Sequence, residues 1–290
     1  MRVGTRGSAL ALAQAQSVAV RLGPDTELVT ITTSGDRGAA VEDKSRWVSE
    51  LERALLDGRI DLAVHSAKDV PTDVTEGVEL VAVPERADPR DAICGAPSLR
   101  ALAPGARIGT SSLRRAAQIR AERDDLEVVE LRGNVDTRLR KLAEGEVDAL
   151  VLAFAGLQRL GRGSQAGGTI DEFVPAAGQG ALAIEARAGA LQAEQLARLI
   201  HAESMACVSA ERDLVHALGA SCNTPVGAHA RALGHGLLEL VAWVGLPDGS
   251  AWLRDSVRGE PDWVGGACAE RMRAAGAGAL LAQAERGLAA

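Results

Sequence analysis

Two stretches far apart in this chain follow one pattern. "RVGTRGSALALAQAQSVAVRL" begins at Arg2 and "RIGTSSLRRAAQIRAERDDL" begins at Arg107. Each opens as a short strand, passes through Gly-Thr and a polar turn, and continues with helical spacing, which predicts helices over 9–21 and 113–123. "ELVTITTSGDR" from Glu27 and "EVVELRGNVDTR" from Glu127 follow, both β-branched runs that stop at a Gly-containing polar turn. A third pair is "DGRIDLAVHSAKDV" from Asp57 and "EGEVDALVLAFAGL" from Glu144. Three matching segments in the same order predict two copies of one α/β unit, with parallel strands joined through helices. Ligands of such units sit at the carboxyl ends of strands, beside helix N-termini. From residue 203 the pattern changes to a helix, a loop with one cysteine, a hairpin around "LPDGS" and a final helix, which predicts a compact third unit. A length of 290 residues accommodates this, at roughly 150 residues per domain.

The net charge of −7 argues against nucleic acid as a partner. No run reaches the roughly 18 apolar residues of a membrane span. Glutamines and a second arginine interrupt the apolar core that a signal peptide needs at the N-terminus, so a cytoplasmic protein without a membrane partner is expected. The four cysteines, Cys94, Cys207, Cys222 and Cys268, are scattered without a CxxC pair, so neither a metal site nor a disulfide framework is indicated. Cys94, Cys207 and Cys268 read as small core residues. Only Lys44, Lys68 and Lys141 are lysines among 32 basic residues. GC-rich codon usage accounts for that count, but not for where the arginines gather.

They gather in the second copy. Arg114 and Arg115 open a predicted helix, a place where the macrodipole disfavours cations unless an anion binds there. Arg132 follows a strand and Arg138 lies on the next helix, so all four are expected on one cleft wall, where guanidinium forks suit carboxylates. Thr110, Ser111 and Ser112 in this copy, and Arg6 and Ser8 in the first, occupy the strand-to-helix turns where free N–H groups favour an anion. Plain N-capping is the alternative for the hydroxyls. The first copy carries "VHSAKDVPT", in which an apolar strand over 60–64 delivers His65, Ser66, Lys68 and Asp69 to a loop closed by Pro71. A carboxylate at a strand end suits acid–base work or stabilisation of a cation, and Lys68 would keep it ionised. A cap or turn role is the alternative for Asp69. The polar segment over 35–45 reads either as a lid or as a solvated loop.

Together these residues resemble the porphobilinogen deaminase family, also called hydroxymethylbilane synthases. The resemblance runs through "TRGSALALAQ", "HSAKDVP", "RADPRDAIC", "IGTSSLRRAAQ", "LRGNVDTRLRKL", "AGLQRLG", "VPAAGQGALAIEAR", "AERDLVHAL" and "GASCNTPVGAHA", in order and over nearly the whole chain. It implies an α/β fold of two similar domains, like those of type II periplasmic binding proteins, around a cleft, with a small α+β third domain. The implied boundaries are 1–84 with 181–198, then 88–178, then 203–290. It implies a transferase that condenses four porphobilinogen molecules head to tail, with loss of ammonia, into hydroxymethylbilane. The primer would be a dipyrromethane cofactor carried on Cys222 through a thioether.

By the same resemblance Asp69 is the catalytic carboxylate. Lys68, Thr110, Ser112, Arg114, Arg115, Arg132 and Gly133 join it around the cofactor, while Arg6, Ser8, Lys44, Ser66, Ser111, Asn134, Arg138 and Gln179 hold substrate. A monomer is implied. Three departures stand out. Asp136 occupies a position where the family has glycine, so its side chain is expected to point away from a carboxylate-binding wall. The segment after "QRLG" offers only Arg162, and Trp47 stands where the family has another aromatic. Two other readings remain at this point: a solute-binding module without chemistry, and a cysteine hydrolase pairing Cys222 with His216 or His229.

Overall fold

The computed structural model describes residues 1–31, 45–73, 75–220 and 224–289. In chain order the first part contains β1 (Arg2–Arg6), α1 (Ala9–Leu22), β2 (Glu27–Ile31), α2 (Ser45–Leu56), β3 (Leu62–Ser66) and β4 (Val78–Ala82). The second contains β5 (Asp91–Cys94), β6 (Arg107–Thr110), α3 (Leu113–Glu122), β7 (Glu127–Glu130), α4 (Val135–Ala143), β8 (Ala149–Ala153), α5 (Phe154–Arg159) and β9 (Gly168–Ile170). β10 (Leu182–Arg187) and α6 (Ala193–Leu196) follow. The remainder is α7 (Ala202–Leu218), β11 (Val226–Gly234), β12 (Leu237–Gly245), β13 (Trp252–Gly259), α8 (Pro261–Ala274) and α9 (Ala277–Ala289).

The repeat legible in the sequence is a repeat in topology. One five-stranded sheet has the order β2-β1-β3-β10-β4 and the other β7-β6-β8-β5-β9. In each, three parallel strands form one side, and the fourth position is filled by an antiparallel strand that arrives from the other half of the chain. β5 enters the second sheet after the chain leaves β4, and β10 returns to the first after the chain leaves β9. The two crossing segments, over 83–90 and 171–181, therefore run side by side between the sheets. Their close approach requires glycine: a Cβ on Gly180 would come within 2.5 Å of the Ala87 carbonyl oxygen, and one on Gly178 within 2.9 Å of Ala67. Both have positive φ, +87° and +71°, a region that costs other residues free energy.

Each sheet buries aliphatic side chains on both faces. Val3, Leu62, Val64 and Ile184 pack against α1, and Ile31, Leu51, Leu55 and Ile60 pack beneath α2. Ile93, Ile108, Ile119 and Val151 do the same in the second sheet. The remainder of the chain is α+β: a three-stranded antiparallel meander, β11-β12-β13, whose apolar face packs with α7, α8 and α9 through Leu214, Leu240, Val264, Met272 and Leu281. Two helices close the chain where the sequence pattern predicts one.

The third unit is tied to the crossings at one buried carboxylate. Glu211 of α7 is fully buried and accepts from Arg86 Nη1 at 2.6 Å and from the backbone N–H groups of Gly178 at 2.6 Å and Ala230 at 2.7 Å. Arg86 also donates through Nε to the Gln179 carbonyl at 2.8 Å. Cys94, Cys207 and Cys268 are free and buried as expected, and burial pushes each thiol up to about 11.

Candidate active site

Both strand-to-helix turns are capped as amphipathic helices require. Ser8 Oγ accepts from the Ala11 N–H at 3.3 Å at the start of α1, and Ser112 Oγ accepts from the Arg115 N–H at 3.4 Å at the start of α3. Asn134 does the same for α4, accepting from the Thr137 N–H at 2.8 Å. Thr110 is buried, and its Oγ1 accepts from the Ser112 N–H at 3.1 Å. The capping alternative is thus real for Ser8 and Ser112, and Asn134 proves to be a cap as well. Ser66, at the end of β3, accepts from Gln14 at 2.7 Å.

The arginines expected on one wall divide into three kinds. Arg114 and Arg115 are buried, at 4% and 5% exposure, against the fully buried Asp91 at the start of β5. Arg114 Nη1 donates to Asp91 Oδ2 at 2.8 Å and to the Val174 carbonyl at 2.9 Å, and Arg115 Nε donates to Asp91 Oδ1 at 2.8 Å. The anion that offsets two cations in the first turn of α3 is therefore the protein's own Asp91. Burial pushes the Asp91 carboxyl up, but the two guanidiniums outweigh it and hold it far below the usual carboxylate range.

Arg132 is exposed and donates to Glu130 at 2.6 Å. Arg138 is half-buried, donating to the Gly133 carbonyl at 2.8 Å and to Ser111 Oγ at 2.9 Å. Burial, with Arg115 nearby, pushes Arg138 down to about 10. Gly133 itself has φ +123°, and a Cβ there would meet Thr137. Arg159, at the end of α5, completes the third kind. Its Nη2 donates to the Gly180 carbonyl at 2.6 Å, and burial pushes it down to about 10 as well. Among the described residues neither Arg138 nor Arg159 has a carboxylate partner. Arg159 was visible in "AGLQRLG", but nothing local distinguishes a groove arginine from the solvated residue that ends a short helix.

Gln179 links the sheets. It is 1% exposed; its Nε2 donates to the Pro89 carbonyl at 2.7 Å and Asp91 Oδ1 at 2.8 Å, and its Oε1 accepts from Lys68 Nζ and Arg115 Nη2, both at 3.3 Å. These four contacts saturate its amide, so it orders neighbours instead of presenting a free donor. Lys68 and Asp69 lie in a three-residue 3-10 turn after β3, and Asp69, half-buried, sits close enough to Arg115 to stabilise that cation. A small pocket of about 30 Å³ opens here, lined among others by Gln14, Ser66, Lys68, Arg159 and Gly180. Arg6 is half-buried at the end of β1. Lys44, Cys222 and most of the expected lid lie outside the described residues, as does the side chain of Trp47.

His65, read as a packed residue, is buried with Nε2 at 3.1 Å from Glu185 of β10. Asp136 accepts from Arg162 at 3.1 Å, so the one arginine of that segment is paired with the acid that departs from the family pattern. Among the described residues no group of His, Cys, Asp and Glu could hold a metal ion, and no helix is long and apolar enough to cross a membrane.

Residues 1–195 match the family model described as "Porphobilinogen deaminase, dipyromethane cofactor binding domain", and residues 205–274 match "Porphobilinogen deaminase, C-terminal domain". The chain belongs to the porphobilinogen deaminase family. It is 48% identical over 283 residues to the porphobilinogen deaminase of Deinococcus deserti, covering 89% of each chain. It is 48% identical over 268 residues to that of Thermus thermophilus, again covering 89% of each, and 46% identical over 298 residues to that of Methylobacillus flagellatus, covering 97% of this chain and 96% of that one. The activity is the family's: a transferase of porphyrin biosynthesis that makes hydroxymethylbilane from porphobilinogen, with a dipyrromethane cofactor. The two five-stranded sheets of matching strand plan, with a smaller α+β unit after them, fit the expected pair of similar α/β domains and third unit.

The donor set fits such a cofactor and substrate. Each pyrrole ring carries an acetate and a propionate, and desolvated guanidiniums without internal counter-anions are suited to carboxylates. Cations already held by Asp91 or Glu130 are not equivalent to them.

Proposed function

We propose that porphobilinogen units are condensed in the groove between the two sheets, on a dipyrromethane held to Cys222 by a thioether. When bound, that group supplies the terminal pyrrole to which new rings are joined. Arg138 and Arg159 carry most of the carboxylate binding, with Arg6, Lys68, Arg132 and the hydroxyls of Ser66 and Ser111 beside them. Ser8, Thr110, Ser112, Gly133 and Asn134 shape the turns from which these groups project. Arg114 and Arg115, paired with the single carboxylate of Asp91, leave one net positive charge behind the wall, and Gln179 holds Lys68 in place. Lys44, by family resemblance, contributes a further cation.

Asp69 is the catalytic carboxylate. Its oxygens accept from the pyrrole N–H and stabilise the cation left when the substrate loses ammonia. The same oxygens then help to remove the ring proton after the new carbon–carbon bond forms. Lys68 beside it and Arg115 nearby favour its ionised form. We further assign 1–84 with 181–198, 88–178 and 203–290 to three domains, of which the last bears the cysteine. The protein is expected to act as a cytoplasmic monomer.

The observation that carries this reading is a pair of half-buried arginines with no carboxylate partner among the described residues: Arg159, which lines the pocket beside Lys68, and Arg138, which lies near Arg115. Intact-mass measurement tests the cofactor assignment: the purified chain should be heavier than its sequence by two pyrrole units, and Cys222→Ser should lack that mass and be inactive. An unmodified but active wild type would refute it. Asp69→Asn should load the cofactor yet lose turnover.

A further inference from the structure

The turn that presents Asp69 is not self-supporting. It is one short 3-10 turn, Ala67–Asp69, closed by a hydrogen bond from the Val70 N–H to the Ala67 carbonyl at 3.2 Å. Such short pieces have poor hydrogen-bond geometry and little stiffness of their own. The entry to the turn is fixed by the crossing segment, where the Ala67 N–H donates to the Ala181 carbonyl at 3.1 Å and Lys68 reaches Gln179.

The exit is fixed from a different unit of the fold. Arg212 of α7 donates through Nη1 to the Val70 carbonyl at 3.1 Å, and through Nη2 to the Pro71 carbonyl at 2.6 Å and the Thr72 carbonyl at 3.3 Å. Three consecutive carbonyls thus converge on one planar fork, a match that an ammonium on a flexible stem reproduces only in part. One turn further along the same helix, His216 Nδ1 lies 3.3 Å from Asp73 Oδ1. Residues four apart share a helix face, so this exposed contact lies on the same side of α7 as Arg212, which makes the anchoring contacts to the exit of the turn. α7 ends at Leu218, and four residues later the chain reaches Cys222.

We propose that Arg212 is a positioning residue for the condensation: it sets the carboxylate of Asp69 from the unit that carries the cysteine, so the acid and the tethered primer share one reference element. The proposal rests on the reading of Asp69 as the catalytic carboxylate. Arg212 does not line the pocket beside Lys68 and Arg159, so its removal acts on turnover and not on substrate capture. Displacing a reacting group by about an ångström costs up to about a hundredfold in rate.

The test uses cofactor-loaded enzyme and four variants: Arg212→Met, Arg212→Lys, Asp69→Glu and the Asp69→Glu/Arg212→Met double. Arg212→Met is expected to lower kcat by about tenfold or more, with KM for porphobilinogen within about twofold. Amide hydrogen exchange over 67–73 should quicken, and Arg212→Lys should recover part of kcat. A residue that acts through Asp69 should also show coupling, so the double variant should lose less than the product of the two single losses. The proposal is overturned if Arg212→Met keeps kcat within about twofold of wild type while Asp69→Glu is impaired. If Arg212→Met yields no folded holoenzyme, Arg212→Lys decides: unchanged kcat and unchanged exchange overturn the proposal. Full turnover by Asp69→Asn would instead overturn the reading of Asp69, and the clamp with it.

Discussion

Asp91→Asn is the sharpest perturbation available, because it changes one charge and almost no volume. Asp91 is fully buried and faces Arg114 and Arg115, whose side chains are 5% and 6% exposed. The amide that replaces it can still accept through its one oxygen, but it cannot offset two buried cations, and it brings an N–H group toward donors. Removing one partner of a buried ion pair costs about 3–5 kcal/mol, mostly through the uncompensated charge left behind. For a chain of 290 residues that corresponds to a fall in the thermal midpoint of roughly 5–8 °C.

The pH dependence gives a second handle. The folded-state carboxyl of Asp91 is depressed, so the unfolded chain takes up its proton first as pH falls. Its stabilisation is therefore complete above the ordinary carboxylate value of about 4, and is lost progressively as pH drops below it toward the depressed folded value. Differential scanning calorimetry or thermal melts of wild type and Asp91→Asn from pH 7 to pH 3 measure both effects. The variant should be less stable at pH 7, and the gap should narrow as the pH falls below about 4. A midpoint within about 2 °C of wild type at pH 7 would refute the claim that Asp91 is the anion these arginines require.

Further expectations follow from the same geometry. Arg138→Gln and Arg159→Gln should each weaken porphobilinogen use by about tenfold or more in kcat/KM, since a charge-assisted hydrogen bond contributes about 1.5–3 kcal/mol; steady-state kinetics at fixed ionic strength checks this. Glu211→Gln leaves Arg86 without its charge partner at the junction of α7 and the crossings, and should lower the thermal midpoint and raise protease sensitivity between residues 171 and 205. Asp136→Gly breaks an exposed pair with Arg162, which is about half exposed, so stability should change by less than about 1 kcal/mol in a denaturant titration. Thiol titration of native protein with the cofactor attached should find Cys94, Cys207 and Cys268 unreactive until denaturant is added, because burial raises all three thiols.

Much of the site was legible because its signals are local. Asp69 follows an apolar strand directly, and the strand-to-helix turns at Ser8 and Ser112 carry their own capping hydroxyls. Asp91 was not legible in the same way. In "RADPRDAIC" it is one of two acids beside two arginines, and its partners lie 23 and 24 residues further on. Arg212 is equally anonymous in "AERDLVHAL", with acceptors about 140 residues earlier in the chain.

The sequence by itself determined the duplicated α/β plan, the distinct character of the final third and the chemical types gathered at the strand ends. Period, propensity and capping act over a few residues and repeat visibly in both halves. Tertiary structure decided which arginines are neutralised internally and which have no carboxylate partner among the described residues. It decided that Gln179 is a saturated link and that α7 grips the turn behind Asp69. Burial and ion pairing depend on distances set by the two crossings and the packed third unit. A charge that reads the same in sequence is therefore a buried partner of Asp91 at Arg114 and a half-buried donor to Ser111 at Arg138.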